Sequence, residues 1–311
     1  MMRRLACLLF LCSAVAQAQA FDLQGHRGAR GLAPENTLAA FSRGLGAGVS
    51  TLELDIGVTR DGVVVIHHDE RLNPAITRDA KGAWIGAPGP RIHDLDYAEL
   101  ATYNVGMLKP GTPYAAQFPQ QVGRAQEAIP RLADLFELVQ KRRDTHVRFN
   151  IETKLTPDHP DDTVAPEAMV SALLKVIDQY GMQERVSIQS FDWRTLKLVQ
   201  RQRPMLPTIC LTARFPDFNT VAPTWNAGLA SSGSLPQLAK SAGCAAWSPN
   251  FQDVDAQSLG EAHAQGLQVI PWTVNRQEDI ERMIALGVDG LITDRPDLAH
   301  MLLAAHRLRP P

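Results

Sequence analysis

The chain has 311 residues, 45% of them hydrophobic, and a formal net charge of −2. That is enough apolar material for a sizeable core, either in two ordinary domains or in one large α/β barrel of roughly 250 residues. With no basic excess, nucleic acid is not an expected partner, because gripping a phosphate backbone takes clustered lysine and arginine.

In chain order, residues 1–20 come first and stand apart. Arg3 and Arg4 precede an apolar run from Leu5 to Ala16, and Ala18-Gln19-Ala20 puts small residues where a signal peptidase reads them. This is the pattern of a secretory signal peptide. The apolar run is too short to cross a bilayer, which needs about 20 residues, so stable membrane insertion is not expected. Cleavage after Ala20 leaves a mature domain of residues 21–311, changes the formal charge from −2 to −4, and sends the protein out as a periplasmic or secreted one. Cys7 and Cys12 leave with the leader, and Leu11 before Cys12 does not suit a lipoprotein site. Cys210 and Cys244 remain. Both sit in apolar runs, which favours two buried free thiols over a disulfide.

Next come short β-rich runs alternating with helical patterns. Strands are expected at Asp22–Gly25, Leu52–Val58, Val147–Glu152, Val186–Gln189, Pro207–Leu211, Ala245–Ser248, Leu267–Trp272 and Gly290–Ile292. Amphipathic helices fall between them, among them Ala165–Tyr180, Trp193–Gln202, Asp255–Gln265 and Arg276–Leu286. Eight such units predict a single α/β domain, a closed (β/α)8 TIM barrel.

Two features interrupt the rhythm. Thr59-Arg60-Asp61-Gly62 joins the second strand to Val63–His67, and Asp-Gly between apolar runs signals a hairpin. A small insertion of about residues 71–130 then follows, with a short helix expected at Asp94–Tyr103 and Asp94 as its N-cap. An insertion after a barrel strand lies over the active-site face, so it reads as a substrate cap.

The chemistry-bearing residues cluster at strand ends. Side chains two apart on a strand face the same way. In Leu52-Glu53-Leu54-Asp55-Ile56 the apolar residues face the helices, which turns Glu53 and Asp55 into the barrel. In Asn150-Ile151-Glu152-Thr153-Lys154 the same alternation turns Glu152 and Lys154 inward. Three converging carboxylates without a thiolate suit a hard divalent cation, Ca²⁺ or Mg²⁺. The competing arrangement is a plain ion pair between Lys154 and one acid.

His26 ends the first strand and His68 ends the hairpin strand. Two imidazoles beside an acidic cluster can share general acid and general base work. Arg27 offers a planar fork for an oxyanion, and Lys154 a second positive contact. Phe191 and Trp272, also at strand ends, are candidates to line the pocket. His67 faces the opposite side and reads as structural, and His93, His146 and His159 have no supporting context.

These segments together resemble the glycerophosphodiester phosphodiesterase family. The resemblance is carried by His26-Arg27-Gly28-Ala29, Pro34-Glu35-Asn36-Thr37, Glu53-Leu54-Asp55, Thr59-Arg60-Asp61-Gly62 and His68-Asp69. It continues through Asn150–Lys154, Ser190-Phe191, Trp272–Asn275 and Gly287–Asp294, and so runs from about Asp22 to Asp297. It implies a (β/α)8 fold, a metal held by Glu53, Asp55 and Glu152, His26 and His68 as the acid/base pair, and Arg27 on the phosphate. It also implies hydrolysis of a small-molecule glycerophosphodiester to glycerol 3-phosphate and an alcohol. The glycerol hydroxyl attacks first in one version of that reaction, giving a cyclic intermediate. Glu35 and Asn36 are expected to order the loop above the first strand. Gly57 departs from the family pattern of a larger inward polar residue, which predicts a wider pocket. The nearest alternatives are the same chemistry on lysophospholipids and a non-catalytic binding protein for glycerophosphodiesters. No amphipathic stretch suited to a lipid surface is visible, and binding alone needs no proton-transfer groups.

Overall fold

The computed structural model describes residues 20–229 and 233–308; residues 1–19, and with them nearly all of the predicted signal peptide, lie outside that range. Among the described residues there are eleven strands and ten α-helices. The strands are β1 Asp22–Gly25, β2 Thr51–Val58, β3 Val64–Ile66, β4 Arg148–Thr153, β5 Val186–Ser190, β6 Thr208–Thr212, β7 Arg214–Phe215, β8 Phe218–Asn219, β9 Ala246–Pro249, β10 Gln268–Val269 and β11 Gly290–Thr293. The helices are α1 Leu38–Gly46, α2 Tyr97–Leu100, α3 Pro113–Ala116, α4 Leu132–Lys141, α5 Pro166–Tyr180, α6 Trp193–Gln202, α7 Leu235–Ser241, α8 Ala256–Ala264, α9 Gln277–Leu286 and α10 Pro296–Ala305.

Eight strands run parallel in the order β10-β9-β6-β5-β4-β2-β1-β11. The ring closes between the outer two through backbone bonds from Asp289 N–H to Val269 O (3.1 Å), Ile292 N–H to Pro271 O (2.9 Å) and Val274 N–H to Ile292 O (2.9 Å). The seventh barrel strand is therefore present but short in regular pairing. Pro271, inside the predicted Leu267–Trp272, has no N–H to give to a ladder. The (β/α)8 barrel expected from the sequence is the fold.

Alternation along the strands builds two layers. Leu52, Leu54, Ile56, Phe149, Ile151 and Ile188 are all fully buried against the helices, in one continuous core with Phe136, Leu173 and Trp193. The barrel interior is apolar on one side, where Ile209, Ala246, Ile270 and Ile292 cluster, and polar and hydrogen-bonded on the side of β1, β2, β4 and β5. Gln24 Oε1 and Gln189 Oε1 both accept from Asn150 Nδ2, at 2.9 and 2.8 Å, and Gln189 Nε2 donates to Glu53 Oε1 at 2.8 Å. Unpaired amides there would each cost roughly 1–3 kcal/mol, so their mutual satisfaction is what permits a polar interior.

The Asp-Gly hairpin forms as expected: β3 pairs antiparallel with the end of β2, in the register Ile56–Ile66, Gly57–Val65 and Val58–Val64. The insertion carries its own apolar cluster, Leu72, Ile92, Leu95, Leu100, Val105 and Ile129 around Val65. The single helix expected at Asp94–Tyr103 is divided instead. A 3₁₀ turn occupies Ile92–Asp94, and α2 begins after Asp96. Asp94 does not cap α2, whose N-cap position is Asp96; its carboxylate accepts from Arg91 Nε at 2.7 Å instead. Gly57 does not widen the pocket either. A Cβ there would lie 3.4 Å from Ile92, so the insertion already fills that space.

Cys210 and Cys244 form a disulfide with Cα atoms 5.8 Å apart, which corrects the expectation of free thiols. Cys210 lies in β6, and Cys244 enters β9, its neighbour in the sheet. Strand adjacency brings the two together, and their apolar sequence surroundings say nothing about it.

Candidate active site

The site lies at the C-terminal ends of the barrel strands. β1 ends at Gly25, and the chain turns sharply over His26-Arg27-Gly28. Arg27 has φ +49° and Gly28 φ +85°. A Cβ on Gly28 would sit 2.6 Å from the Ala40 carbonyl carbon, so the turn requires glycine there. The turn aims the Arg27 N–H at Glu53 Oε2, 2.8 Å away.

Register sets the acids. The parallel pairing of β2 with β4 puts Asp55 opposite Glu152, with Glu53 one inward step below. One oxygen from each of Glu53, Asp55 and Glu152 lies within 4.8 Å of the others, and all three residues are buried. Asn36 Nδ2 donates to Asp55 Oδ2 at 2.9 Å, while Asp55 Oδ1 is buried with no hydrogen-bond partner. Such a group is costly unless a cation meets it. An all-oxygen donor set with an orphaned oxygen fits a hard divalent ion. Lys154 also enters the cluster, with Nζ 2.8 Å from Glu152 Oε1 and 3.8 Å from Asp55 Oδ1. The ion-pair and metal readings of the sequence therefore meet at one place.

The electrostatics divide the acids. Burial, then the Asp55 charge, raises Glu53 well above the usual carboxyl range. Burial, partly offset by Lys154, pushes Glu152 up to about 7. Burial acts the same way on Asp55, but His68, Arg27 and Lys154 outweigh it and hold Asp55 below the usual range.

His26 and His68 line the same cavity of about 200 Å³, together with Arg27, Glu53 and Glu152. His26 Nδ1 is 2.6 Å from Asp294 Oδ1. His68 Nδ1 is 2.7 Å from Asp69 Oδ1, and its Nε2 accepts from Lys154 Nζ at 3.1 Å. Burial, then Arg30, lowers His26 to about 4. Burial, then Arg27 and Lys154, lowers His68 well below its usual value. Both rings are neutral at pH 7. His67 is buried outside the cavity, its Nδ1 2.9 Å from the Asp69 carbonyl.

Arg27 is buried, with Nη1 2.6 Å from Glu35 Oε1 and Nε 3.4 Å from Asp55 Oδ2. Phe191 and Trp272 form the opposite, apolar wall, edge to face at 5.3 Å. The rings of Phe218, on the β7–β8 hairpin that the sequence did not suggest, and of Phe191 meet at 5.1 Å. The structure thus gathers all nine residues that the sequence singled out.

It also adds others. Arg30 lines the cavity and holds Asp294 at 2.9 Å. Tyr114, from the insertion, donates to Glu35 and lies 3.5 Å from Arg27 Nη1. Gln189 holds Glu53 at 2.8 Å. Asp294 sits in a recognised segment, Gly287–Asp294, where its position gave a hint, and Arg30 lies one residue past another, His26–Ala29. Tyr114 lies in irregular sequence and gave none. A larger, open groove of about 660 Å³ lies between the insertion and the loop after β4. Its cations are already matched, Arg91 to Asp94 and Arg194 to Asp192.

A model of the glycerophosphoryl diester phosphodiesterase family matches residues 26–298. A glycerophosphodiester phosphodiesterase of Caldanaerobacter subterraneus subsp. tengcongensis is 31% identical over 274 residues, 88% of this chain and 93% of the relative. A crystal structure of a candidate glycerophosphoryl diester phosphodiesterase from Silicibacter pomeroyi superposes with a TM-score of 0.85 at 38% identity, covering 94% of this chain and 96% of that one. A phosphodiesterase of Oleispira antarctica, in complex with the product sn-glycerol-3-phosphate, shares the fold at 21% identity, with a TM-score of 0.69 over 92% of this chain and 97% of its own.

Proposed function

The chain belongs to the glycerophosphoryl diester phosphodiesterase family, and from that membership we propose how its barrel mouth cleaves the substrate. The protein is a glycerophosphodiester phosphodiesterase. The finer reading is that glycerol 3-phosphate and an alcohol are the products, that a divalent cation is required, and that two histidines move the protons. The observation that carries it is the cluster of three buried carboxylates, two of which line one cavity with two neutral imidazoles. The product complex of the Oleispira phosphodiesterase supports the choice of glycerol 3-phosphate.

In this reading Glu53, Asp55 and Glu152 hold Ca²⁺ or Mg²⁺. When bound, the cation neutralises charge on the phosphate oxygens as it develops. Arg27, Arg30 and Lys154 supply the remaining positive field, and burial keeps that field strong. A neutral imidazole has a lone pair to accept the proton of the attacking hydroxyl; the partner ring, to give one to the leaving alcohol, enters the reaction as the imidazolium, a state that the bound phosphodiester anion favours. In His68 the Lys154 ammonium donates to Nε2, which leaves Nδ1 as the protonated nitrogen facing Asp69. Phe191 and Trp272 exclude water from one side of the reacting group. The insertion serves as a cap, bringing Tyr114 onto Glu35, and residues 1–20 direct export to the periplasm or the medium.

The test is release of glycerol 3-phosphate from glycerophosphocholine by protein lacking residues 1–20. Activity should vanish with EDTA and return with Ca²⁺ or Mg²⁺. His26→Ala and His68→Ala should each lower kcat by roughly 10²–10⁴-fold. Full activity in EDTA would sink the metal requirement, and full activity in either alanine variant would remove that histidine from the scheme.

A further inference from the structure

His26 has a partner that the chemistry above leaves without a task. Asp294 follows β11 directly, 268 residues further along the chain, and its Oδ1 lies 2.6 Å from His26 Nδ1. The two side chains are 12% and 4% exposed. Burial alone would raise Asp294, but Arg30 and His26 hold it below the usual carboxyl range, so it stays ionised. A ring nitrogen facing an ionised carboxylate at that distance carries the hydrogen. His26 is then the Nδ1–H tautomer, and Nε2 keeps the lone pair.

The carboxylate is itself clamped. Asn275 Nδ2 donates to Asp294 Oδ2 at 2.7 Å, and Asn275 Oδ1 accepts the Asp294 N–H at 2.9 Å. Arg30 binds both oxygens, Oδ1 at 2.9 Å and Oδ2 at 3.1 Å. Arg30 therefore answers the charge of Asp294, and the imidazole receives orientation from it more than charge. A purely structural role, tying the loop after β1 to β11, is already filled by backbone bonds. His26 N–H donates to Thr293 O at 2.8 Å, and Gly31 N–H to Asp294 O at 3.0 Å.

We propose that Asp294 is a positioning residue: it fixes His26 as the Nδ1–H tautomer with Nε2 turned to the cavity, and Asn275 and Arg30 lock the carboxylate in place. The proposal rests on His26 being a proton-transfer group.

The first readout needs no variant. Long-range ¹H–¹⁵N correlation on the ¹⁵N-histidine-labelled, metal-loaded protein, with His26 assigned by its loss in His26→Gln, should show Nδ1 protonated and Nε2 bare. Finding Nε2 protonated overturns the proposal. Asp294→Asn should then mix the tautomers and lower kcat by roughly 10²–10⁴-fold, with KM changed less than about threefold. An unchanged tautomer with kcat within threefold of wild type also overturns it. Should that variant fail to fold, Asn275→Ala keeps the charge pair and only loosens the clamp. It should lower kcat by about tenfold, and unchanged kcat there counts against the clamp. Full activity in His26→Ala would instead remove the proton-transfer reading, while the tautomer spectrum would still report what Asp294 holds.

Discussion

At the scale of single residues, the site sets groups held in their usual ionised state, such as Asp55 and Asp294, beside groups whose surroundings oppose it, such as Glu53, His26 and His68. His26 shows the consequence for stability. Burial, then Arg30, lowers it to about 4 in the folded protein, whereas an unfolded histidine titrates near 6.5. Between those values the unfolded chain binds a proton that the folded one refuses. Stability is therefore lost as pH falls from about 6.5 toward 4, by something on the order of 3 kcal/mol from this residue. Urea midpoints of wild type and His26→Gln, followed from pH 7.5 to 4.5, should show the wild type losing ground to the variant as pH drops. A constant difference would mean that the imidazole is not held neutral. The motif around Asp55 was readable because strand alternation is local. Its relation to Asn36 needed the loop after β1 to fold back 19 residues, onto the strand it precedes.

At the scale of elements, two pieces were invisible in the chain order of hydrophobic runs. One is the β7–β8 hairpin, too short to show periodicity, which sets Phe215 and Phe218 beside Trp272 and Phe191. The other is the disulfide between β6 and the start of β9, which closes a separation of 34 residues. Cross-linking a loop of that length stabilises by roughly 4 kcal/mol through the unfolded state. Cys210→Ala/Cys244→Ala should lower unfolding free energy in urea by about that much, with glycerol 3-phosphate release per folded molecule unchanged. A loss of activity at full folding would show that the bridge shapes the mouth as well as the wall. Tyr114 makes a similar point for the insertion. α3 is only four residues long, yet the tyrosine it carries bonds to Glu35 at the barrel mouth.

At the scale of the whole molecule, the barrel joins parts that share no stretch of sequence. Glu53 and Asp55 come from β2 and Glu152 from β4, almost 100 residues apart, and only closure makes them one cluster. If that cluster takes a divalent cation, binding has to displace the proton that Glu152 holds up to about 7. Affinity for Ca²⁺ or Mg²⁺, measured by titration calorimetry, should fall about tenfold per pH unit below that point for each displaced proton, that of Glu152 and that of Glu53, whose protonated form burial and the Asp55 charge also favour. Saturating metal should raise Tm at pH 8 more than at pH 6. Equal affinities at the two pH values would set Glu152 outside the ligand set. Among the described residues no helix is long and apolar enough to cross a membrane.

The alternation of strand and helix, the hairpin after the second strand, the inward acids and the two histidines at strand ends were legible in the chain alone. Each of these is written in the spacing of neighbouring residues, over two positions in a strand or a few in a helix or turn. The pairing of His26 with Asp294, the seating of Tyr114 on Glu35, the filling of the space at Gly57 by Ile92 and the union of Cys210 with Cys244 came with the folded barrel. Those contacts follow from the order of strands around a closed ring and from the path of an irregular insertion. Neither leaves a periodic trace, because hydrogen-bond and packing partners are chosen by distance in space and not by distance along the chain.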